Sequence, residues 1–503
     1  MSGLAPYVTD IHYTARFYPE TAPAHIAFAM AAAGQDPGRS RLPERVFELG
    51  CGRGFGLALL AAANPDVVFE GCDFNPRHVA EAQRFGLDAG LENLSVQVAS
   101  FADLAGRDGA RDVDLAIVHG VMAWVDAPTR HAVLAVLDAR IAEGGVAFVS
   151  YNCEPGWATL DPLRQIARAV ARMEPEATRR VPLLLDWLDR LQRSGAAYLA
   201  ANPVVARHIR GMVEADPAYL SHEYLGAAAR ALAVDEVHRP LAALGLRYAA
   251  SSTIAENIDA LAVPPGVAEL LAATEDPTLR ETLRDLGTNR SFRRDLFRRG
   301  TGSPAAAAEA LQAATFALAV PASEVGFSFD GPLGPLTGHP HLYAPLVDRL
   351  AAGPAAFAEL LGLPVFAASG RAALVEALAL LVHGGRVFPL MRPMADPDAA
   401  HRFNRTIVEH ADRAAFYGHL ASPVSRSGVA VEDLELLLLA ARSRSGERLD
   451  ARAATRLVDR LRQSRLDPHP YGAMSAEDVA KASSSFTAGL WPVLSALNVT
   501  AAD

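Results

Sequence analysis

The chain has 503 residues, half of them apolar, which is enough length and core material for about two to four domains. Its net charge of −10 excludes a general nucleic-acid binder, since phosphate binding needs concentrated positive potential; one local basic run remains, with five arginines within residues 290–299. Three cysteines (Cys51, Cys72 and Cys153) are too few for a disulfide framework and lack the spacing of metal ligands, so no metal is expected.

The first ten residues have no basic, apolar secretory pattern, and no run of 18 apolar residues suggests a membrane span. A cytoplasmic protein without integral membrane association is expected. Lys481 is the only lysine. That fits the codon bias of a GC-rich genome as well as avoidance of self-modification by a lysine-modifying enzyme.

Residues 45–152 alternate short apolar strands with amphipathic helices. Strands are expected at 45–50, 67–73, 94–100, 113–120 and 144–152, with helices between them. Near-continuous apolar strands imply a sheet covered on both faces, which is a doubly wound, mostly parallel, Rossmann-like α/β fold. Residues 158–235 lose the strand signals and read as a helical insertion. Candidate strands at 246–254 and 291–299 are expected to return and close the sheet. An Ala-rich stretch, 301–322, reads as a linker helix before a separate, mostly helical C-terminal domain at 323–503. Short strand candidates occur near 326–329 and 385–390. The expected units are therefore 1–157, 158–235, 236–300 and 323–503.

The most informative motif is Glu48-Leu-Gly50-Cys51-Gly52-Arg-Gly54-Phe-Gly56, between a strand and a helix. A glycine turn there lets backbone approach a ligand at the edge where open α/β sheets bind cofactors. The acidic Glu48 would repel a pyrophosphate but favour a sulfonium and an α-ammonium. That sign selects S-adenosylmethionine over a nicotinamide dinucleotide, with S-adenosylhomocysteine as product. Asp73, at the end of the second strand, can accept both ribose hydroxyls, with Phe74 and Asn75 following it. Ser100 and Phe101 stand where the adenine would be bonded and stacked. His119 and Gly120 follow strand four.

Two further strings carry a resemblance: His119-Gly-Val-Met-Ala-Trp124-Val125, and Ser150-Tyr151-Asn152-Cys-Glu-Pro155-Gly156-Trp157. With Tyr13-Thr14, Phe17-Tyr18, the 219–225 segment YLSHEYL, Asn289-Arg290, Asn404-Arg405 and Ser422-Pro423, the chain resembles class I methyltransferases carrying a methyltransferase regulatory domain. That group includes the rickettsial outer-membrane-protein lysine methyltransferases. The stretch after Leu225 departs from the family pattern, on the side that would line the substrate. The resemblance implies methyl transfer to a protein or peptide amine, plausible for lysine, with a helical middle region shaping the substrate cleft.

Methyl transfer is an in-line displacement that depends on alignment, and an amine acceptor must lose a proton. The catalytic candidates are His119, Tyr151 and Asn152. Trp124, Trp157, His222 and Glu223 are substrate candidates, because aromatic faces suit a methylammonium. Tyr13 and Tyr18 would close over the sulfonium. Bland roles compete: His119 as a strand cap, Trp157 as a packing anchor, and His222 with Glu223 as an exposed helix pair. A small-molecule methyltransferase and a cofactor-binding scaffold are the alternative functions, and a homodimer is compatible with the sequence.

Overall fold

The computed structural model describes residues 14–107, 109–411, 417–445 and 475–500. A seven-stranded sheet is built from β1 (Arg45–Leu49), β2 (Val68–Asp73), β3 (Leu94–Val98), β4 (Val113–Val118), β5 (Ile141–Asn152), β6 (Leu246–Ser251) and β7 (Phe292–Arg299). Its order is β3-β2-β1-β4-β5-β7-β6. The first five strands are parallel, and β7 runs antiparallel to both β5 and β6. All six residues of β4 are buried, as a strand covered on both faces requires. The two late strands close the sheet as expected. Between β5 and β6, five helices from Asp161–Met173 to Pro217–Leu225 form the insertion around a core including Leu163, Leu184, Ile209 and Tyr224.

β7 is unusual for an interior strand, because FRRDLFRR carries four arginines and an aspartate. Arg293 and Asp295 are both fully buried. The Arg293 guanidinium donates to Asp295 through Nε at 2.8 Å, to Asp285 through Nη1 at 2.5 Å and to Glu281 through Nη2 at 2.7 Å. Asp295 also accepts from Tyr151 Oη at 2.9 Å and lies 2.8 Å from His238 Nε2. The basic run at 290–299 is therefore no nucleic-acid patch. Arg290 is buried beside Asp285 and Glu256, Arg294 lies against Glu20, Arg298 against Asp36, and Arg299 against Asp138.

The 301–322 stretch is not a linker. It contains a helix, Pro304–Gln312, and then a strand, Thr315–Leu318, in a three-stranded antiparallel sheet with Ala355–Ala356 and Val387–Leu390. Two antiparallel hairpins, Ser328–Gly331 with Gly334–Thr337 and His419–Ser422 with Ser427–Ala430, add further strands to the helix-rich C-terminal region. No boundary interrupts the core there. One apolar cluster runs from Phe28 and Leu59 in the first half to Phe316, Phe403, Leu420 and Leu437 in the second. Phe55, in the helix after the glycine turn, stacks on Tyr417 with centroids 4.8 Å apart. Among the described residues no helix is long and apolar enough to cross a membrane.

Replacing Arg293 would strand three buried carboxylates, and breaking a buried charge cluster from one side typically costs about 3–5 kcal/mol. R293M should lower unfolding stability by that amount in denaturant titration. R84A, which removes an exposed helix pair with Asp88, should change it by less than about 0.5 kcal/mol. Equal effects of the two would show that the cluster does not anchor β7.

Candidate cofactor and acceptor site

A cavity of about 440 Å³ opens at the carboxyl ends of β1, β2 and β4, in the size range of small-molecule sites. It is lined by Glu48, Gly50, Cys51, Gly52 and Gly54 on the turn, Asp73 and Phe74 after β2, and Ser100 and Phe101 after β3. His119, Gly120, Trp124, His222 and Tyr18 complete the side toward the helical insertion.

The local sequence explains the turn. Gly50, Gly52 and Gly54 all have positive φ, and Gly54 caps the helix Phe55–Ala63 in the left-handed conformation. A Cβ on Gly54 would overlap that of Ala82 in the next helix, so glycine is required there twice over. Asp73 is buried, and its carboxylate organises the turn as well as facing the cavity. Oδ2 accepts from Gly52 N at 3.0 Å and Oδ1 from Asn75 N at 2.8 Å. Asn75 does not line the cavity; its side chain caps the helix Pro76–Ala89 by accepting from Arg77 N. Ser100 forms a capping box with Asp103, its Oγ donating to Asp103 Oδ2 at 2.6 Å, while Phe101 starts the following helix.

Electrostatically the cavity is poised for a cation. Burial, reinforced by Asp73, pushes the Glu48 carboxyl up to about 8. Burial first, and then the carboxylates of Glu48 and Asp73, hold the Cys51 thiol well above its ordinary value. A sulfonium and an α-ammonium would relieve the crowding of Glu48 and Asp73, whereas a phosphate would add to it. The donor set therefore fits S-adenosylmethionine.

His119 follows β4, with its ring centroid 4.1 Å from that of Tyr18 and its Nδ1 2.8 Å from Ser150 Oγ. Ser150 is fully buried and already accepts from Gly120 N at 2.9 Å. Its hydroxyl can donate to Nδ1, the arrangement that places the ring proton on Nε2. Burial, helped by Arg294 and opposed by Glu20, lowers His119 to about 4, so the ring is neutral at pH 7.

Tyr151 and Trp157 are not part of this cavity. Tyr151 is fully buried on the opposite face of β5 from Ser150, with its hydroxyl committed to Asp295. Adjacent strand residues point to opposite faces, so Tyr151 and Asn152 cannot serve one site together. Trp157 packs in the core of the helical insertion, 4.6 Å from the Arg164 guanidinium. Asn152 and Glu223 stand behind the lining: Asn152 Nδ2 donates to Glu223 Oε1 at 2.6 Å, and Arg164 Nη2 donates to the same oxygen at 2.8 Å. Glu223 also takes a hydrogen bond from Trp124, and burial raises it to about 7 against those partners. It is buried, not part of an exposed helix pair, while His222 stacks on Trp124 with centroids 6.2 Å apart and planes at 18°. Tyr13 lies outside the described residues. Ser150 was missed from the sequence; its signal was the period-2 alternation that puts it on the His119 side of β5.

Two outcomes follow for cofactor binding. D73A should weaken S-adenosylmethionine by about 1.5–3 kcal/mol in calorimetry, as expected for lost bonds to a charged acceptor; an unchanged dissociation constant would remove Asp73 from the ribose site. Glu48 is protonated in the free protein below about 8, and a bound cation favours its carboxylate. Affinity should therefore rise from pH ~6 to ~8 by up to about 1.4 kcal/mol per unit, with proton release on binding. E48Q should abolish that slope.

Models of known families match two parts of the chain: a methyltransferase domain over residues 47–147 and a "predicted methyltransferase regulatory domain" over 216–299. An uncharacterized protein of Synechocystis is 30% identical over 447 residues, covering 87% of this chain and 88% of the relative. An uncharacterized protein of Rickettsia prowazekii is 27% identical over 299 residues, 58% of this chain and 52% of its own length. The structure of PKMT2 from Rickettsia typhi superposes with a TM-score of 0.66 at 18% identity, covering 97% of this chain and 99% of that one. A second structure of PKMT2, in complex with AdoHcy, gives 0.65 over 94% and 97% of the two chains. The regulatory-domain match spans the residues from Asp216 to Arg299 that supply Glu223, His238 and β7. The chain belongs to the family of class I S-adenosylmethionine-dependent methyltransferases that carry a methyltransferase regulatory domain.

Proposed function

We propose that the methyl acceptor is an amine of a protein or peptide, with the lysine side chain as the group modified. The observation that carries this reading is the aromatic wall made by Trp124 and His222 beside the carboxyl end of β4. A flat π face attracts an ammonium and its methylated product, and does little for an anionic acceptor. Whole-chain likeness to the rickettsial PKMT2 fold supports the reading, as does the resemblance of the HGVMAWV and SYNCEPGW strings to a group of methyltransferases that includes lysine methyltransferases.

Bound S-adenosylmethionine supplies an electrophilic methyl group whose transfer needs in-line approach of a neutral amine. His119 is neutral; in the tautomer in which Ser150 donates to Nδ1, its Nε2–H acts as a hydrogen-bond donor and not as the proton acceptor. Tyr18, packed against His119, closes the wall on the N-terminal side. Glu223 accepts a hydrogen bond from Trp124 and so orients the indole, while Asn152 and Arg164 hold its carboxylate. The amine reaches the cavity after giving its proton to solvent, and alignment does the rest.

Cell lysate treated with the protein and isotopically labelled S-adenosylmethionine should show label on lysine residues by mass spectrometry. Label confined to metabolites would overturn the reading in favour of a small-molecule acceptor. On the identified acceptor, W124A should lose about 0.5–2 kcal/mol of transition-state stabilisation while W124F retains most of it. Cofactor affinity should stay near wild type in both.

A further inference from the structure

A second cavity, of about 330 Å³, shares the Pro19–Thr21 turn with the first: Pro19 lines it, while Tyr18 and Thr21 line the cofactor cavity. It lies between the helix Pro23–Ala32, the strand Val387–Leu390 and the hairpin of His419–Ser422 with Ser427–Ala430. None of its lining residues lines the first cavity.

Its chemistry is one-sided. Glu324, Glu432 and Glu435 line it, and no lysine or arginine does among the described residues. Its two histidines do not offset the acids. His25 binds the Ser252 carbonyl through Nε2 at 2.8 Å and is held below its ordinary value, chiefly by burial. Burial lowers His419 to about 4. Glu435 Oε2 accepts from Glu432 N at 2.7 Å, and burial, then Glu432 and Glu324, raise its carboxyl. The remaining walls include Phe388, Val431 and Leu490.

An independent feature points to an occupant. Ser425 lines the cavity and is 1% exposed, yet its Oγ has no hydrogen-bond partner among the described residues. Buried hydroxyls are nearly always paired, so an orphan beside a cavity calls for a partner there, a ligand atom or a bound water.

We propose that this cavity binds a primary alkylammonium group. Its three N–H donors would be shared among the Glu435 and Glu324 carboxylates and Ser425 Oγ, and its methylene chain would lie against Phe388, Val431 and Leu490. Two sources present this chemistry, a free diamine and a protein lysine side chain. The site does not depend on the nature of the methyl acceptor.

The test uses the full chain saturated with S-adenosylhomocysteine, which occupies the cofactor position of the first cavity and prevents turnover. Cadaverine and the peptide acetyl-Gly-Lys-Gly-amide are titrated separately by calorimetry, with 1-pentanol as the uncharged control. Saturable one-to-one binding of at least one amine, and none of pentanol, is expected. The tighter of the two amines identifies the source. E435Q should weaken the bound amine at least tenfold, and S425A severalfold, with melting and S-adenosylhomocysteine affinity retained. W124A, in the first cavity, should leave amine binding unchanged. The proposal fails if neither amine saturates, if S425A and E435Q both bind as wild type, or if W124A is the variant that abolishes binding.

Discussion

The Arg293 guanidinium, fully buried between β5 and β6, is the constraint around which the second half of the sheet is arranged. Such a charge is tolerated only when its donors are met, and Asp295, Asp285 and Glu281 meet them. Asp295 sits two residues along the same strand, so it faces the same side. Asp285 and Glu281 come from the helix Pro277–Thr288, which the cluster thereby holds to the sheet. Tyr151 on β5 and His238 on the helix Val234–Ala243 complete the shell around Asp295. The regulatory-domain segment is thus joined to the catalytic sheet by charge and hydrogen bonding as well as by apolar contact.

That attachment has a consequence for the site. Tyr151 and Ser150 are neighbours on β5, and the network that anchors Tyr151 also sets the position of Ser150 on the opposite face. Ser150 in turn fixes the His119 ring and the Gly120 amide. Arg294, the neighbour of Arg293, reaches through the other face toward Glu20, and both charges act on His119. Alternation along two adjacent strands carries the geometry of the regulatory segment to the end of β4.

The C-terminal region packs against the helix that follows the cofactor turn. Phe55 packs with Phe403 and Tyr417, Gly428 leaves room for Phe17 and Leu59, and Arg392 and Arg426 both reach Asp66. A glycine-rich turn has little rigidity of its own. Here it is backed by a packed aromatic group and by Asp73, which holds the Gly52 amide.

Much of this was legible in the chain. The alternation of apolar strands and helices over residues 45–152 marked the parallel sheet, and the closing strands at 246–254 and 291–299 were visible because they end the helical block. Glu48, the glycines and Asp73 announced a cationic nucleoside cofactor through local spacing and sign alone. What local pattern could not carry was pairing across the fold. The arginines of β7 read as a surface patch because most of their partners lie on other elements, as far away in sequence as Glu20. Tyr151 and Asn152 looked like one site, although a strand turns them to opposite faces. The 301–322 stretch looked like a linker because alanine favours helix in isolation, while its second half becomes a strand through pairing with Val387–Leu390. Sequence by itself determined the sheet, the turn and the class of cofactor, since these rest on periodicity and on residues close together in the chain. Only tertiary structure decided which side chains reach the acceptor and where the charges are neutralised, because those depend on contacts between residues distant in sequence.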